Sequence, residues 1–206
     1  MLEIKDFSKS YKSQKVLQIS DLQIPAGIYW FVGANGSGKS TFFRSVAGML
    51  PFEGHLKFEG IDSSSNTYRF KINYSEAEPQ YPDFLSGQEI LAYIAEVKKA
   101  KSGQLQKLVD QFGVGGFWKQ NIGTYSSGML KKIALISGFL GDPSLIILDE
   151  PFILIDHATV DLLYTLIVEY AAQGKSFFLS SHQDLAPEML TIDGVFKVVN
   201  NTVTKL

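Results

Sequence analysis

The stretch FVGANGSGKSTFF at residues 31–43 constrains the fold more than any other part of the chain. The apolar run before it, IYWFV at 28–32, predicts a strand that is covered on both faces. The segment behind it has helical spacing, with Phe42, Val46 and Met49 on one side. A buried strand that passes through a glycine loop into a helix indicates an α/β fold with a parallel sheet.

The glycine loop has the composition of an anion site. Its glycines can adopt backbone angles that point consecutive N–H groups into one concavity at the start of a helix. Lys39 adds a positive charge for the outer phosphates of a nucleotide, and the Ser40 hydroxyl can bind Mg²⁺. The sequence GANGSGKS fits the Walker A form G-x-x-x-x-G-K-[ST] completely. The residues predicted to contact the nucleotide here are Gly33, Asn35, Gly36, Ser37, Gly38, Lys39, Ser40 and Thr41.

A second apolar run, LIILDEP at 145–151, ends in two acidic residues and predicts the other half of the site. We expect Asp149 to hold Mg²⁺ through water, and Glu150 to orient and deprotonate an attacking water molecule. No N-K-x-D element, which reads guanine, occurs in the sequence. ATP is therefore the expected nucleotide, with Mg²⁺ as its cofactor.

The order of predicted elements indicates one domain over residues 1–206. Short strands with Gly, Pro and Ser between them fill the first sixty residues and predict an N-terminal antiparallel β subdomain. Amphipathic helices at about 83–140 predict an inserted helical lobe. Helices and apolar strands alternate in the rest of the chain. The predicted fold class is α/β, a three-layer P-loop NTPase core carrying these two additions.

The composition excludes several classes of function. There is no cysteine, so disulfides, thiolate metal sites and cysteine nucleophiles are excluded together. The formal net charge is −2, and we expect no nucleic-acid partner because no overall positive field is present. The start MLEIKDFSKSYK lacks the pattern of a secretory signal, and no apolar run is long enough to span a membrane. The expected location is cytoplasmic, and any membrane spans belong to another chain.

The segment TYSSGMLKKIALISGFLGDPSLIILDEP, taken with GANGSGKST, closely resembles the ATP-binding-cassette (ABC) ATPases over nearly the whole chain. The tetrad DEPF and the segment SHQDL are also reminiscent of the haem-exporter ATPases of cytochrome c maturation. The resemblance implies an enzyme that hydrolyses ATP, a nucleotide-binding subunit peripheral on the inner face of the cell membrane.

The same resemblance implies further site residues. Tyr11 matches the aromatic that stacks on adenine, with an ordinary strand aromatic as the alternative. YSSGM at 125–129 stands where the family has LSGGQ, so that Ser126 and Gly128 match and the other three positions depart. Asp156 matches the D-loop, and His182 matches the switch histidine that contacts the γ-phosphate.

One motif departs from the family. In the pattern I-x-Y-x-x-Q the glutamine contacts Mg²⁺ and the attacking water, but here the sequence INYSEA places Ala77 at that position. We expect Glu78 to substitute for it, because a carboxylate can also bind Mg²⁺. Glu76 is nearly as good a candidate, and a solvated loop charge is the alternative for both.

The resemblance also implies partners. Two nucleotide-binding subunits, identical or different, would pack head to tail so that each signature covers the other's ATP. A separate transmembrane permease would bind beside the helical lobe, where we expect Tyr81 and Phe84 to contact it. The alternative is that these rings, with Phe117 and Trp118, pack the lobe onto the sheet.

Three functions stay open on the sequence. The leading one is the ATPase subunit of a membrane transporter, with export favoured over import. The others are a soluble ABC ATPase outside transport, and a nucleotide-gated binding module that hydrolyses ATP weakly. Glu150 and His182 favour hydrolysis, whereas Ala77 leaves the third function open.

Overall fold

The computed structural model describes residues 1–181 and 189–206, and it contains two β-sheets. The first sheet is antiparallel with the strand order β2-β1-β4-β5, and the second has the order β10-β9-β3-β8-β7-β6. The strands are β1 Leu2–Tyr11, β2 Gln14–Ile24, β3 Ile28–Val32, β4 Glu53–Phe58, β5 Ile61–Asp62, β6 Ile72–Ser75, β7 Leu145–Leu148, β8 Ser176–Ser180, β9 Gly194–Val199 and β10 Thr202–Lys205.

The helices begin where the sequence supplies starting signals. Helix α3 follows Ser86, whose side chain accepts a hydrogen bond from the Glu89 N–H while the Glu89 carboxylate accepts one from the Ser86 N–H. The helices are α1 Lys39–Val46, α2 Tyr68–Lys71, α3 Gly87–Val97, α4 Gln104–Gln111, α5 Ser127–Phe139 and α6 His157–Ala172, with a short 3₁₀ helix at Ile122–Thr124.

In the six-stranded sheet, β6, β7, β8, β3 and β9 pair in parallel, and β10 joins the edge antiparallel to β9. The carboxyl ends of parallel strands meet at one edge of a sheet, and ligands of open α/β sheets bind there. The glycine loop after β3, the acidic pair after β7 and the loop after β6 therefore converge. The predicted fold class is confirmed.

Two apolar clusters lie on opposite faces of this sheet. The first fills the space between the two sheets and includes the rings of α1; Phe31 stacks on Phe196 with ring centroids 5.2 Å apart. The second lies under α5, α6 and the helical region around α3 and α4. Adjacent residues of β8, Phe177 and Phe178, face different clusters because side chains alternate along a strand.

One detail of α1 differs from the sequence expectation. Helix α1 ends at Val46, and Gly48 follows with a φ of 71°, so Met49 leaves the predicted helical face and is 55% exposed. Trp118 is buried and Phe117 packs partly against the second cluster, in agreement with the packing alternative.

Within the described ranges, no helix is long and apolar enough to cross a membrane.

Candidate functional site

A cavity of about 540 Å³ lies where the glycine loop, the acidic pair and the loop after β6 meet. It brings together most of the residues that the sequence predicts for the nucleotide and the metal. It is lined by Tyr11, Val16, Asn35, Gly36, Ser37, Gly38, Lys39, Ser40, Thr41, Ala77, Glu78, Asp149, Glu150 and Ile153. Gly33 contributes its backbone carbonyl to the hydrogen bonds of the loop.

The glycine loop delivers α1 to this cavity with its first N–H groups uncovered. Gly38 precedes the helix with a φ of 107°, an angle that residues with a Cβ rarely adopt, and no side chain caps the helix. The Lys39 ammonium donates to the carbonyls of Gly33 at 2.7 Å and Ala34 at 3.3 Å, which holds it against the loop. This geometry suits a polyphosphate because both the helix end and the ammonium attract anions.

The Asp149 carboxylate is buried, and each of its oxygens accepts a hydrogen bond. Ser180 on β8 donates to Oδ1 at 2.5 Å, and Tyr74 on β6 donates to Oδ2 at 3.0 Å. Burial, together with the nearby negative charge of Asp149, raises the pKa of Tyr74, so the hydroxyl stays a donor. Sequence reasoning missed both donors, although each lies on a strand next to β7 in the sheet.

Glu150 follows Asp149 with an unusual backbone conformation. Its φ is 47°, in the left-handed region that costs a residue with a side chain of the order of 1 kcal/mol. Its N–H donates to the Ser180 hydroxyl oxygen at 2.9 Å. The residue is buried and lines the cavity, as a water-activating carboxylate must.

Glu76 and Glu78, the two residues that could replace the missing glutamine, have different contacts in the loop after β6. Glu78 lines the cavity together with Ala77. Glu76 instead pairs with Arg44 of α1, with 3.6 Å between Oε2 and Nη2. The geometry therefore favours Glu78 over Glu76 as a group that could reach a bound metal.

Tyr11 lies at the rim of the cavity, where its ring is 47% exposed. The Lys9 ammonium lies 5.0 Å from the centre of the ring, at the distance of a cation–π contact. An exposed aromatic ring at this rim can stack on a purine base.

The signature residues and the D-loop aspartate are absent from the lining of this cavity. Ser126 is exposed and caps α5, where its side chain accepts a hydrogen bond from the Met129 N–H at 3.2 Å. A Cβ on Gly128 would lie 2.7 Å from the Leu154 carbonyl oxygen, so the close approach of that loop requires glycine. His182 lies outside the described residues.

Asp156 has a structural role within the chain. It caps α6 by accepting from the Thr159 N–H at 2.8 Å, and it pairs with Lys132 of α5 at 2.7 Å. The hydrogen bond from Lys132 and those from Thr159 hold the pKa of Asp156 well below its usual range. The D-loop is thereby attached to the signature helix.

The oxygen donors in the cavity fit Mg²⁺. The Ser40 hydroxyl and the carboxylates of Asp149 and Glu78 all line it. No group of three or more His, Cys, Asp or Glu residues that could hold a metal occurs among the residues that the structure covers. Such a donor set suits a magnesium ion that is also bound by phosphate oxygens and water, which is how Mg²⁺ commonly binds in ATPases.

Comparison with known proteins identifies the class. The family model described as ABC transporter matches residues 17–153, and the chain therefore belongs to the ABC transporter family. It is an ATP-binding and ATP-hydrolysing subunit of this family.

Several relatives cover most of the chain. It is similar to the aliphatic sulfonates import ATP-binding protein SsuB 2 of Burkholderia lata, with 29% identity over 98% of this chain and 74% of that protein. It is similar to the cytochrome c biogenesis ATP-binding export protein CcmA of Legionella pneumophila, with 29% identity over 90% of this chain and 94% of that protein. The predicted likeness to the haem-exporter ATPases is confirmed.

Solved structures of ABC transporter cassettes have the same fold as this chain. One described as an ATP-binding subunit of an ABC transporter superposes over 100% of this chain and 89% of its own, with a TM-score of 0.88 and 26% identity. A bacterial ABC transporter cassette solved as a dimer covers 100% of this chain and 99% of its own, with a TM-score of 0.86 and 19% identity. The second likeness shows the fold.

Proposed function

We propose that this chain is the ATPase subunit of a membrane exporter whose permease is a separate polypeptide. One observation carries the proposal: the cavity holds the glycine loop, Lys39 and the acidic pair, but the exposed start of the signature helix does not line it. A second protomer can supply what each cavity lacks. Export is part of this proposal, supported by the likeness to the export protein CcmA, of which the chain covers 94%.

Substrate binding falls to the glycine loop. The first N–H groups of α1 and the Lys39 ammonium bind the phosphates, and Tyr11 stacks on the adenine. Ser40 and Asp149 hold Mg²⁺, with Glu78 in place of the missing glutamine. When bound, the ion supplies positive charge that offsets the charge developing on the phosphate oxygens.

Hydrolysis is an in-line attack of water on the γ-phosphoryl group of ATP, which breaks the bond to the β–γ bridging oxygen and releases ADP and inorganic phosphate. Glu150 accepts a proton from the attacking water, and it is buried and lines the cavity. His182 contacts the γ-phosphate. Two protomers pack head to tail, so that Ser126 and Gly128 of one protomer cover the ATP of the other, with Asp156 at the same interface.

The permease binds beside the helical region, on the cytoplasmic face of the membrane. An open cavity of about 740 Å³ lies there, and three of its lining residues, Met49, Phe70 and Val97, are each at least 40% exposed. Phe84 is 76% exposed and remains a proposed contact. Tyr81 stays a proposed contact with less exposed surface than Phe84, because it is partly buried against the second cluster, where burial raises its pKa to about 12.

The test is recovery of the tagged chain from the membrane fraction of its own cells, with the integral membrane proteins that copurify in mild detergent. Phe84→Ser and Val97→Ser should each reduce the membrane-bound fraction and leave ATP hydrolysis by the isolated chain unchanged. The control is Val168→Ser, which changes a 48% exposed residue on α6. A wild-type chain that stays in the soluble fraction, without any integral membrane protein, would support the soluble ABC ATPase instead.

A further inference from the structure

Lys131 on α5 is a fully buried lysine in direct contact with the catalytic edge of the sheet. Its exposed fraction is 0%, and its ammonium donates to the backbone carbonyls of Glu76 at 3.0 Å, Ala77 at 3.2 Å and Asp149 at 2.9 Å. An ammonium has three protons to donate, and each finds one acceptor. Burial lowers the pKa of Lys131 to about 8.

The Asp149 carbonyl belongs to the peptide unit that presents Glu150. The carbonyl end of this unit accepts from Lys131, and the N–H end donates to Ser180. The unit is thus held from both sides just where Glu150 takes its positive φ of 47°. A strained conformation of this kind persists only where the surroundings enforce it.

The other two carbonyls that Lys131 contacts, those of Glu76 and Ala77, belong to the loop after β6, where the family has its glutamine. Lys131 therefore fixes the backbone on both sides of the cavity that Glu78 and Glu150 line. It lies five positions after Ser126, in the helix whose exposed start carries the signature. A displacement of α5 must move this ammonium relative to the catalytic carboxylate.

We propose that Lys131 is a positioning residue that links the signature helix to Glu150 and to the loop at 76–78, and so sets the rate of hydrolysis. The inference rests on the proposed role of Glu150 as the base. It is independent of the identity of the permease and of the transported substrate.

A partly buried lysine that also donates to backbone carbonyls supplies a control. Lys98 directly follows α3 and donates to the carbonyls of Arg69 at 2.5 Å and Ile72 at 2.9 Å, at the opposite end of β6. Burial lowers its pKa to about 8 as well. Lys98 contacts the first residue of β6, whereas Lys131 contacts the loop after β6, and only Lys131 contacts the Asp149–Glu150 peptide.

The experiment is single-turnover and steady-state ATP hydrolysis by the purified chain, with ATP binding and melting temperature measured on the same samples. Lys131→Met should lower kcat about 10- to 100-fold, because a small misplacement of a catalytic group has effects of that size. KM and nucleotide affinity should stay within about twofold. Lys131→Gln should recover part of the loss, since its amide keeps two donors, and Lys98→Met should keep kcat within about twofold.

A kcat within about twofold of wild type in Lys131→Met would overturn the proposal, as would an equal loss of kcat in Lys98→Met. If the methionine variant does not fold, wild-type kcat in Lys131→Gln overturns it and reduced kcat with unchanged KM supports it. Retained turnover in Glu150→Gln would instead remove the base assignment itself, so the two failures can be told apart.

Discussion

Two helix starts, those of α1 and α5, carry the two motifs that define the site, and they differ in what already occupies them. The start of α1 follows a glycine, has no side-chain cap and opens into the cavity. The start of α5 is capped by Ser126, and this residue is exposed. The first opens into the nucleotide cavity of its own chain, whereas the second does not line that cavity.

This difference explains how a nucleotide can control assembly. In the proposed head-to-tail pair, a ligand held by the α1 start of one protomer would offer its γ-phosphate to the α5 start of the other, so the ligand would become part of the interface. In this proposal, hydrolysis would remove that contact and bias the pair toward separation. Through Lys131, a change in the position of α5 on dimerisation would also move the Asp149–Glu150 peptide.

The largest effect should come from Glu150→Gln. We expect hydrolysis to fall at least about 100-fold, because a general base is lost while the shape of the cavity is kept. ATP binding should persist, and light scattering after size-exclusion chromatography should show a dimer only with MgATP. Glu169→Gln, an exposed change on α6, is the control. A variant that binds ATP and stays monomeric would contradict the proposal that the α5 start of one protomer contacts the ATP bound at the α1 start of the other.

Lys39→Met tests the α1 start. Loss of a charged donor to phosphate should weaken ATP binding roughly 10- to 100-fold, and with it the MgATP-dependent dimer. Titration with a fluorescent ATP analogue measures the affinity, with Lys107→Met on the exposed face of α4 as the control. Unchanged affinity would show that the ammonium does not contact the phosphates.

Ser126→Ala tests the α5 start. Loss of the cap should cost about 1 kcal/mol of the free energy of unfolding. The monomer should bind ATP normally, and dimerisation in the Glu150→Gln background should weaken. Ser86→Ala removes the corresponding cap of α3 and is the matched control. It should lower stability by a similar amount and leave dimerisation intact; an equal loss of dimerisation would mean that Ser126 acts only through helix stability.

The smallest effect should come from Asp156. Asp156→Ala should cost about 1 kcal/mol of unfolding free energy near neutral pH, while Asp156→Asn keeps the cap and should cost less. Since the folded pKa is below the usual 3.8, the stabilisation by the charge is present above that pH and is lost as the pH falls through the lowered value. Denaturant unfolding at neutral and acidic pH measures it, and a difference between wild type and Asp156→Asn that does not shrink in acid would contradict the assignment.

Much of the fold and of the nucleotide cavity follows from local sequence. The glycines and Lys39 specify a strand, a loop and a helix within a dozen or so residues, and apolar runs such as 145–148 specify buried strands because of their length and composition. These signals need no knowledge of distant residues. They also explain why the placement of Asp149 and Glu150 beside the loop could be expected, since parallel strands bring their carboxyl ends together.

Tertiary structure alone decided which side chains support those groups. Tyr74 and Ser180 reach Asp149 only because β6 and β8 flank β7 in the sheet. In the sequence, Lys131 is one of two adjacent lysines. Its helical spacing to Leu135 and Gly138, which are both buried, places it on the buried face of α5. Periodicity can assign a residue to a buried face, but the partner it finds there depends on chain segments far away in sequence, which only the packed structure brings within hydrogen-bonding distance.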